Sequence, residues 1–491
     1  MEVGHPLAGK TPRTLAVMLL VLAVPYASPR LRDYRVVAAP WDKPTGDTTT
    51  TSSEFVTPVG KLGDAALKAS ENKASVTNAL PAASDGRPTL DAVALAKVAG
   101  SLAVEDPTEH ALDAFYTQLA KTERKEPGAV TRVLHYGDSV ITSDLISGTA
   151  RRLMQARFGD AGHGFILTAN PWEWYFHNDV MHTASDGWNA QRITGPFVSD
   201  KMYGLGGVSF HTAGAASAWF STTDKGDYGR SVSHFDIYYL EQPSGGDADL
   251  VIPGQKTLLL STRGEQKVSR MMTVEVPDGA ASLSIRTRAS GDVRIFGVAL
   301  EREKPGVVYD ALGANGARAR LWEGMDADHW SEQMALRKPS LIIVQYGTNE
   351  SEDGSINGEA YERSLGALVE KLKAAAPASS VMICAPLDRG EKSDTGEIRT
   401  RKIVLTLVEL QRKVALEHHV AFWNTFEAMG GQGAFARWVK ASPQLASWDL
   451  THPTPAGAQV IGDLFFKALT TGFAAYRGNA TKGPPGSGAR D

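Results

Sequence analysis

One cysteine, Cys384, is the only thiol in this 491-residue chain. An intrachain disulfide and any cysteine-built zinc or iron–sulfur cage are thereby excluded. Neither charge is in excess: 51 basic and 55 acidic side chains leave a formal charge of −4. No field of one sign exists to gather nucleic acid, so no such partner is expected. The H-E-x-x-H motif of zinc hydrolases is missing, as is the G-x-S-x-G elbow of ordinary α/β-hydrolases. One apolar run stands out, Leu15 to Val24, and it is shorter than the about 20 residues of a spanning helix. Hydrophobic residues at 42% and charged ones at 22% are ordinary for globular proteins and rule out a collagen-like or wholly disordered chain. The length allows two or three domains.

Lys10 and Arg13 precede the apolar run, and Pro25-Tyr26-Ala27-Ser28 follows it. A short run behind basic residues fits the apolar stretch of an export signal. Ala27 offers a cleavage position and Pro25 opposes it, so residues 1–27 are read as a signal peptide or an uncleaved anchor. The expected location is the periplasm, envelope or exterior of a bacterial cell, with a membrane touched only through that anchor. Gly4 to Thr11 matches the P-loop pattern, but no strand precedes it and Pro12 follows at once, so the match is coincidental. Residues 28–105 are rich in Thr, Ser, Ala and Pro, with a helix beginning near Leu90; they read as a disordered spacer, and 478–491 as a disordered tail.

Two stretches alternate apolar strands with amphipathic helices. Arg132 to Tyr136 leads through Gly137-Asp138-Ser139 into a helical stripe at Leu145, Ile146, Leu153 and Met154. From Gly306 onward, Val307–Tyr309, Ser340–Tyr346, Val381–Ala385 and Val420–Trp423 are separated by stripes at Tyr361–Leu372 and Ile403–Val414, and a last helix runs from Pro455 to about Ala468. Such alternation implies a parallel sheet covered on both faces. Residues 169–305 differ: five or six short β-type runs lie among Gly, Asp, Ser and Pro, with no helical stripe. The expected layout is an α/β domain in two pieces, 106–168 and 306–477, interrupted by an all-β, sandwich-like module.

Catalytic groups gather at the C-terminal ends of parallel strands. Three polar clusters are due there: Ser139 after the first strand, Gly347-Thr348-Asn349-Glu350 after the strongest one, and Asp449-Leu450-Thr451-His452 before the last helix. Ser139 at a helix start is a candidate nucleophile, His452 its base and Asp449 the group that orients the imidazole. Asn349 and the Ser139 backbone N–H are candidate donors to an oxyanion. No cofactor or metal is required.

Gly137-Asp138-Ser139, Gly347-Thr348-Asn349 and Asp449-Leu450-Thr451-His452-Pro453 resemble blocks I, III and V of the SGNH (GDSL-like) hydrolase superfamily, over roughly residues 106–163 and 306–477. The resemblance implies a flavodoxin-like three-layer α/β/α sandwich and a serine esterase acting through an acyl-enzyme. It also implies a second oxyanion N–H from the glycine of block II, for which Gly316 is the best match. Glu350 stands where many members carry Asp. A β-module between blocks I and II resembles peptidoglycan O-acetylesterases, which implies an acylated carbohydrate polymer as partner. A lipase or lysophospholipase, an acetyltransferase using the same residues, and a carbohydrate-binding protein on an inactive scaffold remain open.

Cys384 reads as an inert core residue, and His135, His163, His177, His182, His211 and His234 as structural or surface groups. Gly431-Gln432-Gly433 imitates a dinucleotide loop without a strand before it. The aromatic stretch Pro171 to Phe176, with Trp188 and Trp219, admits two readings: sandwich core, or rings that stack on sugars.

Overall fold

In the computed structural model, which describes residues 103–353 and 355–480, the first elements are helix α1 (Asp113–Glu123), strand β1 (Val130–Gly137), the single turn α2 (Ser139–Thr142), α3 (Leu145–Phe158) and β2 (Gly162–Leu167). Ten strands follow without an intervening helix: β3 (Val180–Ala184), β4 (Asn189–Arg192), β5 (Val208–Thr212), β6 (Ser217–Thr222), β7 (Val232–Glu241), β8 (Asp247–Val251), β9 (Leu258–Ser261), β10 (Val268–Gly279), β11 (Ser282–Thr287) and β12 (Val293–Glu301). Alternation then resumes with β13 (Gly306–Gly313), α4 (Ala327–Arg337), β14 (Leu341–Gln345), α5 (Gly358–Ala375) and β15 (Ser380–Cys384). The hairpin β16 (Gly390–Lys392) and β17 (Ile398–Thr400), α6 (Lys402–Glu417), β18 (Ala421–Trp423), α7 (Thr425–Ala428), α8 (Ala434–Val439) and α9 (Pro455–Ala480) complete the described chain. The export segment, the P-loop look-alike, the helix start near Leu90 and the end of the tail lie outside the described residues.

The parallel sheet has the order β13-β1-β14-β15-β18, every neighbouring pair parallel. Counted among themselves in chain order these strands run 2-1-3-4-5, the flavodoxin-type order, whose crevice opens where the winding reverses beside the first strand. Side chains alternate between two cores. Leu134, Tyr136, Ile342, Val344, Val381 and Ile383 face α5 and α6; Val133, Leu341, Ile343, Met382 and Cys384 face α3 and α9. A strand buried on both faces has no polar side, which is why these segments read as unbroken apolar runs.

The module is two antiparallel sheets. One has the order β10-β7-β12-β5-β4 with β2 also paired to β12; the other is β3-β6-β11-β8-β9. β2, which falls within residues 106–168 assigned to the first hydrolase piece, thus hydrogen-bonds to the module, from Leu167 opposite Gly297 onward. Its six residues are all buried, and so are the nine of β12. The sandwich core is continuous with one face of the parallel sheet through Leu205, Trp322, Trp330 and Leu312.

Two further boundaries differ from expectation. Glu105, placed in the spacer, exchanges two backbone hydrogen bonds of 2.8 Å with Phe422 on β18. The last helix runs past Ala468 to Ala480, because Phe473 and Tyr476 extend its apolar face onto Tyr116.

Candidate active site

β1 ends at Gly137, where a Cβ would lie 2.4 Å from the Ile141 side chain, and at Gly313 beside it a Cβ would strike the backbone N of Thr142 at 2.2 Å. Glycine at both positions lets α2 sit directly on the strand ends. Asp138 caps that turn, its Oδ1 accepting from Val140 N at 3.2 Å. α2 is four residues long and stops where Asp144 adopts a left-handed backbone, so the long helix expected to begin at Ser139 is in fact two. A single turn has little macrodipole; its individual N–H groups matter instead.

Ser139 Oγ lies 2.8 Å from His452 Nε2, and His452 Nδ1 lies 2.7 Å from Asp449 Oδ2. The other carboxylate oxygen of Asp449 accepts from the backbone N–H of Thr451 at 2.8 Å and of His452 at 2.9 Å. This tight turn requires Leu450 at φ 61°, a conformation that costs a non-glycine residue energy and is held here by Gly390 N donating to Leu450 O at 2.9 Å. Burial raises Asp449, but its hydrogen bonds with His452 outweigh that and bring it down to about 2. It is therefore an anion at neutral pH and fixes which ring nitrogen carries the proton.

Asn349 follows β14 across the crevice. Its Nδ2 donates to Ala317 O at 2.8 Å, which ties it to the loop that carries Gly316 and leaves its second amide N–H for another acceptor. Gly316 is exposed in a turn at φ 74°, with nothing within 4 Å of where a Cβ would be. The structure thus brings Ser139, His452 and Asp449 into one relay and links Asn349 to the Gly316 loop. Glu350 is buried, with Oε1 accepting from Ala319 N at 3.0 Å and no partner on Oε2. Burial, reinforced by the Asp138 charge, pushes it up to about 7. Asp138 is itself pushed up to about 6 by burial, against the hydrogen bonds it accepts from Val140 and Thr348.

Two triads of potential metal ligands occur among the described residues: Asp144, His163, His177, and His234, Asp236, Glu301. Neither suits a cation. Asp144 is paired with Arg151 at 2.8 Å, and Glu301 with Arg132 at 2.7 Å and with Arg337. Cys384 is buried in its strand and burial pushes its thiol up, away from reactivity. His135 sits under the crevice, 2.8 Å from Tyr309 Oη and 3.0 Å from Gln345 Oε1, and burial lowers it to about 4. Of the aromatic stretch, Tyr175 and Trp188 are core residues and Trp174 is 53% exposed. Sequence reading missed Trp448, 66% exposed immediately before Asp449, and Arg389, which carries no motif.

Residues 279–460 match the GDSL-like lipase/acylhydrolase family. That stretch holds Asn349, Asp449 and His452; Ser139 lies outside it, beyond the inserted strands. Among solved structures, a peptidoglycan O-acetylesterase is 22% identical over 76% of this chain and 99% of its own, with a TM-score of 0.65, so the two share a fold. A family two carbohydrate esterase from Cellvibrio japonicus also matches, at 12% identity over 60% of this chain and 98% of its own, with a TM-score of 0.26. No curated protein sequence matches the chain.

Proposed function

We propose that this chain, a carboxylic ester hydrolase with a GDSL-like lipase/acylhydrolase domain, is an exported serine esterase that removes O-acetyl groups from a carbohydrate polymer such as peptidoglycan or an exopolysaccharide. The observation that carries the reading is the Ser139–His452–Asp449 relay, with contacts of 2.8 and 2.7 Å at the switch point of the sheet. Ser139 Oγ attacks the ester carbonyl as His452 Nε2 takes its proton. The oxyanion is met by the Ser139 N–H, the free amide N–H of Asn349 and the Gly316 N–H. His452 returns the proton to the departing sugar oxygen, leaving acetyl-Ser139. Water, deprotonated by the same imidazole, then attacks the acetyl carbonyl, and His452 passes that proton to Ser139 Oγ as acetate leaves.

The substrate class has three supports. The solved O-acetylesterase with this fold acts on peptidoglycan. Lys10, Arg13 and the apolar run after them suit export to where such polymers lie. Trp448 presents an exposed ring one residue from Asp449, a face on which a sugar can stack. The test is a panel of acetylated peptidoglycan, acetyl-xylan and long-chain lipid esters, with product analysis for free acetate. Release of acetate from a polymer is expected. A tenfold preference for long-chain esters would overturn the carbohydrate reading, and transfer of acetyl to a second sugar would overturn hydrolysis.

A further inference from the structure

The loops that carry Asn349 and His452 are far apart in sequence, and one guanidinium spans them. Arg389 follows β15 and its side chain is 13% exposed. Its Nη1 donates to Thr348 O at 2.8 Å and to Ser351 Oγ at 2.9 Å, on the loop of Asn349. Its Nε donates to Thr451 Oγ1 at 3.2 Å, on the loop of His452. Nη2 reaches outward to Glu352 Oε1 at 3.0 Å. The receiving groups are themselves fixed. Ser351 Oγ donates to Thr348 O at 2.6 Å, Thr451 Oγ1 donates to Asp449 O at 3.3 Å, and Thr348 N donates to Asp138 Oδ2 at 3.3 Å. Arg389 is therefore one or two hydrogen bonds from the residues adjoining Ser139, Asn349 and His452. The next residue repeats the tie through the backbone, Gly390 N to Leu450 O.

We propose that Arg389 is a positioning residue that sets the separation between the oxyanion loop and the general base by bonding Thr348, Ser351 and Thr451 at once. Only a planar fork whose Nη1 and Nε carry donors in fixed directions meets these three acceptors at once; a lysine ammonium is a point charge that reaches one loop or the other. The assignment rests on reading Ser139 and His452 as the reacting pair. Loosening the span leaves the pair intact and lets their geometry drift. A misplacement of about 1 Å costs on the order of a hundredfold in rate.

The experiment compares Arg389→Lys, Thr451→Val, their double variant and Glu352→Gln, assayed on a small chromogenic acetyl ester with melting temperatures recorded. Arg389→Lys is expected to lower kcat by about 10- to 100-fold while KM moves less than threefold. Thr451→Val should lower kcat less, and the double variant no further than Arg389→Lys alone, because both break the same span. Glu352→Gln, which keeps an acceptor for Nη2 and removes only the outward charge, should stay near wild type. A folded Arg389→Lys enzyme with kcat within twofold of wild type, or single effects that multiply in the double variant, would overturn the proposal. If Arg389→Lys does not fold, Thr451→Val decides: normal kcat overturns the proposal, and reduced kcat with unchanged melting temperature supports it. Ser139→Ala separates the two readings. If it stays active, the reacting pair is wrong; if it is dead while Arg389→Lys is normal, only the role of Arg389 falls.

Discussion

The parallel sheet and the β3-β6-β11-β8-β9 sheet of the inserted sandwich bury their strands in opposite ways. β14 is buried on both faces, whereas β6 and β8 alternate a buried residue with a half-buried one. A doubly covered sheet leaves only its strand ends open to solvent, so polar groups placed there converge on one crevice. The β3-β6-β11-β8-β9 sheet leaves one face partly open along its whole length and gathers nothing at one end. Accordingly Ser139, at the start of α2, and Asn349, Asp449 and His452, on loops, all belong to the α/β part, and the module supplies no member of the relay. Cohesion is divided differently. The sandwich core runs on into the face of the parallel sheet that carries Trp322 and Trp330, and the buried ion pair between Arg337 and Glu301 crosses the joint. The proposed chemistry thus resides in one region and cohesion in both.

The largest effect expected from this division is on chemistry alone. Replacing Ser139 by Ala should lower turnover of an acetyl ester by up to about 10⁶-fold, the scale of nucleophile removal in comparable triads, with an unchanged melting temperature. Its hydroxyl is half-buried and its hydrogen bond is to a partly exposed imidazole, so neither packing nor a buried polar partner is lost. Steady-state hydrolysis and labelling by a fluorophosphonate probe check this; residual labelling would place the nucleophile elsewhere.

Next in size is the joint. Arg337 on α4 is buried between Asp310 of β13 and Glu301, the last residue of β12, with Nε donating to Asp310 Oδ2 at 2.6 Å. Burial would raise Glu301, but Arg337 and Arg132 hold it down at about 2. Arg337→Met leaves both carboxylates short of a partner, and breaking a buried pair from one side costs about 3–5 kcal/mol. Because the core is shared, urea unfolding should shift as one transition for both regions. A biphasic curve in which only the module melts early would show the regions to be independent.

The third effect is a pH dependence lodged in the α/β part. Glu350 holds its proton to about pH 7 when folded, against 4.5 ordinarily, so the folded state binds more protons across that window. Stability from this group falls as pH rises through it, by on the order of 3 kcal/mol when complete. His135 acts in the opposite sense: folded at about 4 against 6.5, it makes stability rise with pH between those values. Glu350→Gln keeps the acceptor for Ala319 N and removes only the first dependence. Relative to wild type it should gain stability between pH 5 and pH 8, measured by urea unfolding at both. An equal difference at the two values would mean that Glu350 ionises normally.

The same division governs what was legible in the sequence. Doubly buried strands such as Ser340–Tyr346 announce themselves as apolar runs, and the residues after them are catalytic candidates by position. Residues 169–305 hold ten strands where five or six runs are legible, because β3 and β4 bury no residue and β8 is only five residues long. α1 and α4 also escaped: Trp330 and Met334 lie among charged residues that hide the stripe. The boundary at 168 missed the pairing of β2 because a buried strand does not declare its sheet. Arg389 was invisible for a different reason. Its role rests on Thr348 and Thr451, residues 41 and 62 positions away, and no local pattern encodes that.

The smallest effect bears on which region holds a sugar chain. Trp448 is 66% exposed on the turn that carries Asp449, and Trp174 is 53% exposed on the segment leading into the sandwich. The Trp448 backbone is fixed from both sides, with Ser447 N donating to His452 O at 2.8 Å and Leu450 N to Ser447 O at 3.2 Å. A ring on so short a tether to the reacting groups can stack on the sugar that bears the ester and lose little freedom in doing so. Ring stacking contributes about 0.5–1.5 kcal/mol, so Trp448→Ala should raise KM for an acetylated oligosaccharide by roughly 2- to 12-fold. The small chromogenic ester, which has no sugar face, should respond much less, and Trp448→Phe should recover part of the loss. Trp174→Ala supplies the comparison. If it leaves the oligosaccharide KM unchanged, recognition near the bond belongs to the α/β part. If instead Trp174→Ala raises KM and Trp448→Ala does not, the sugar runs along the module, and binding as well as stability would be shared between the two regions.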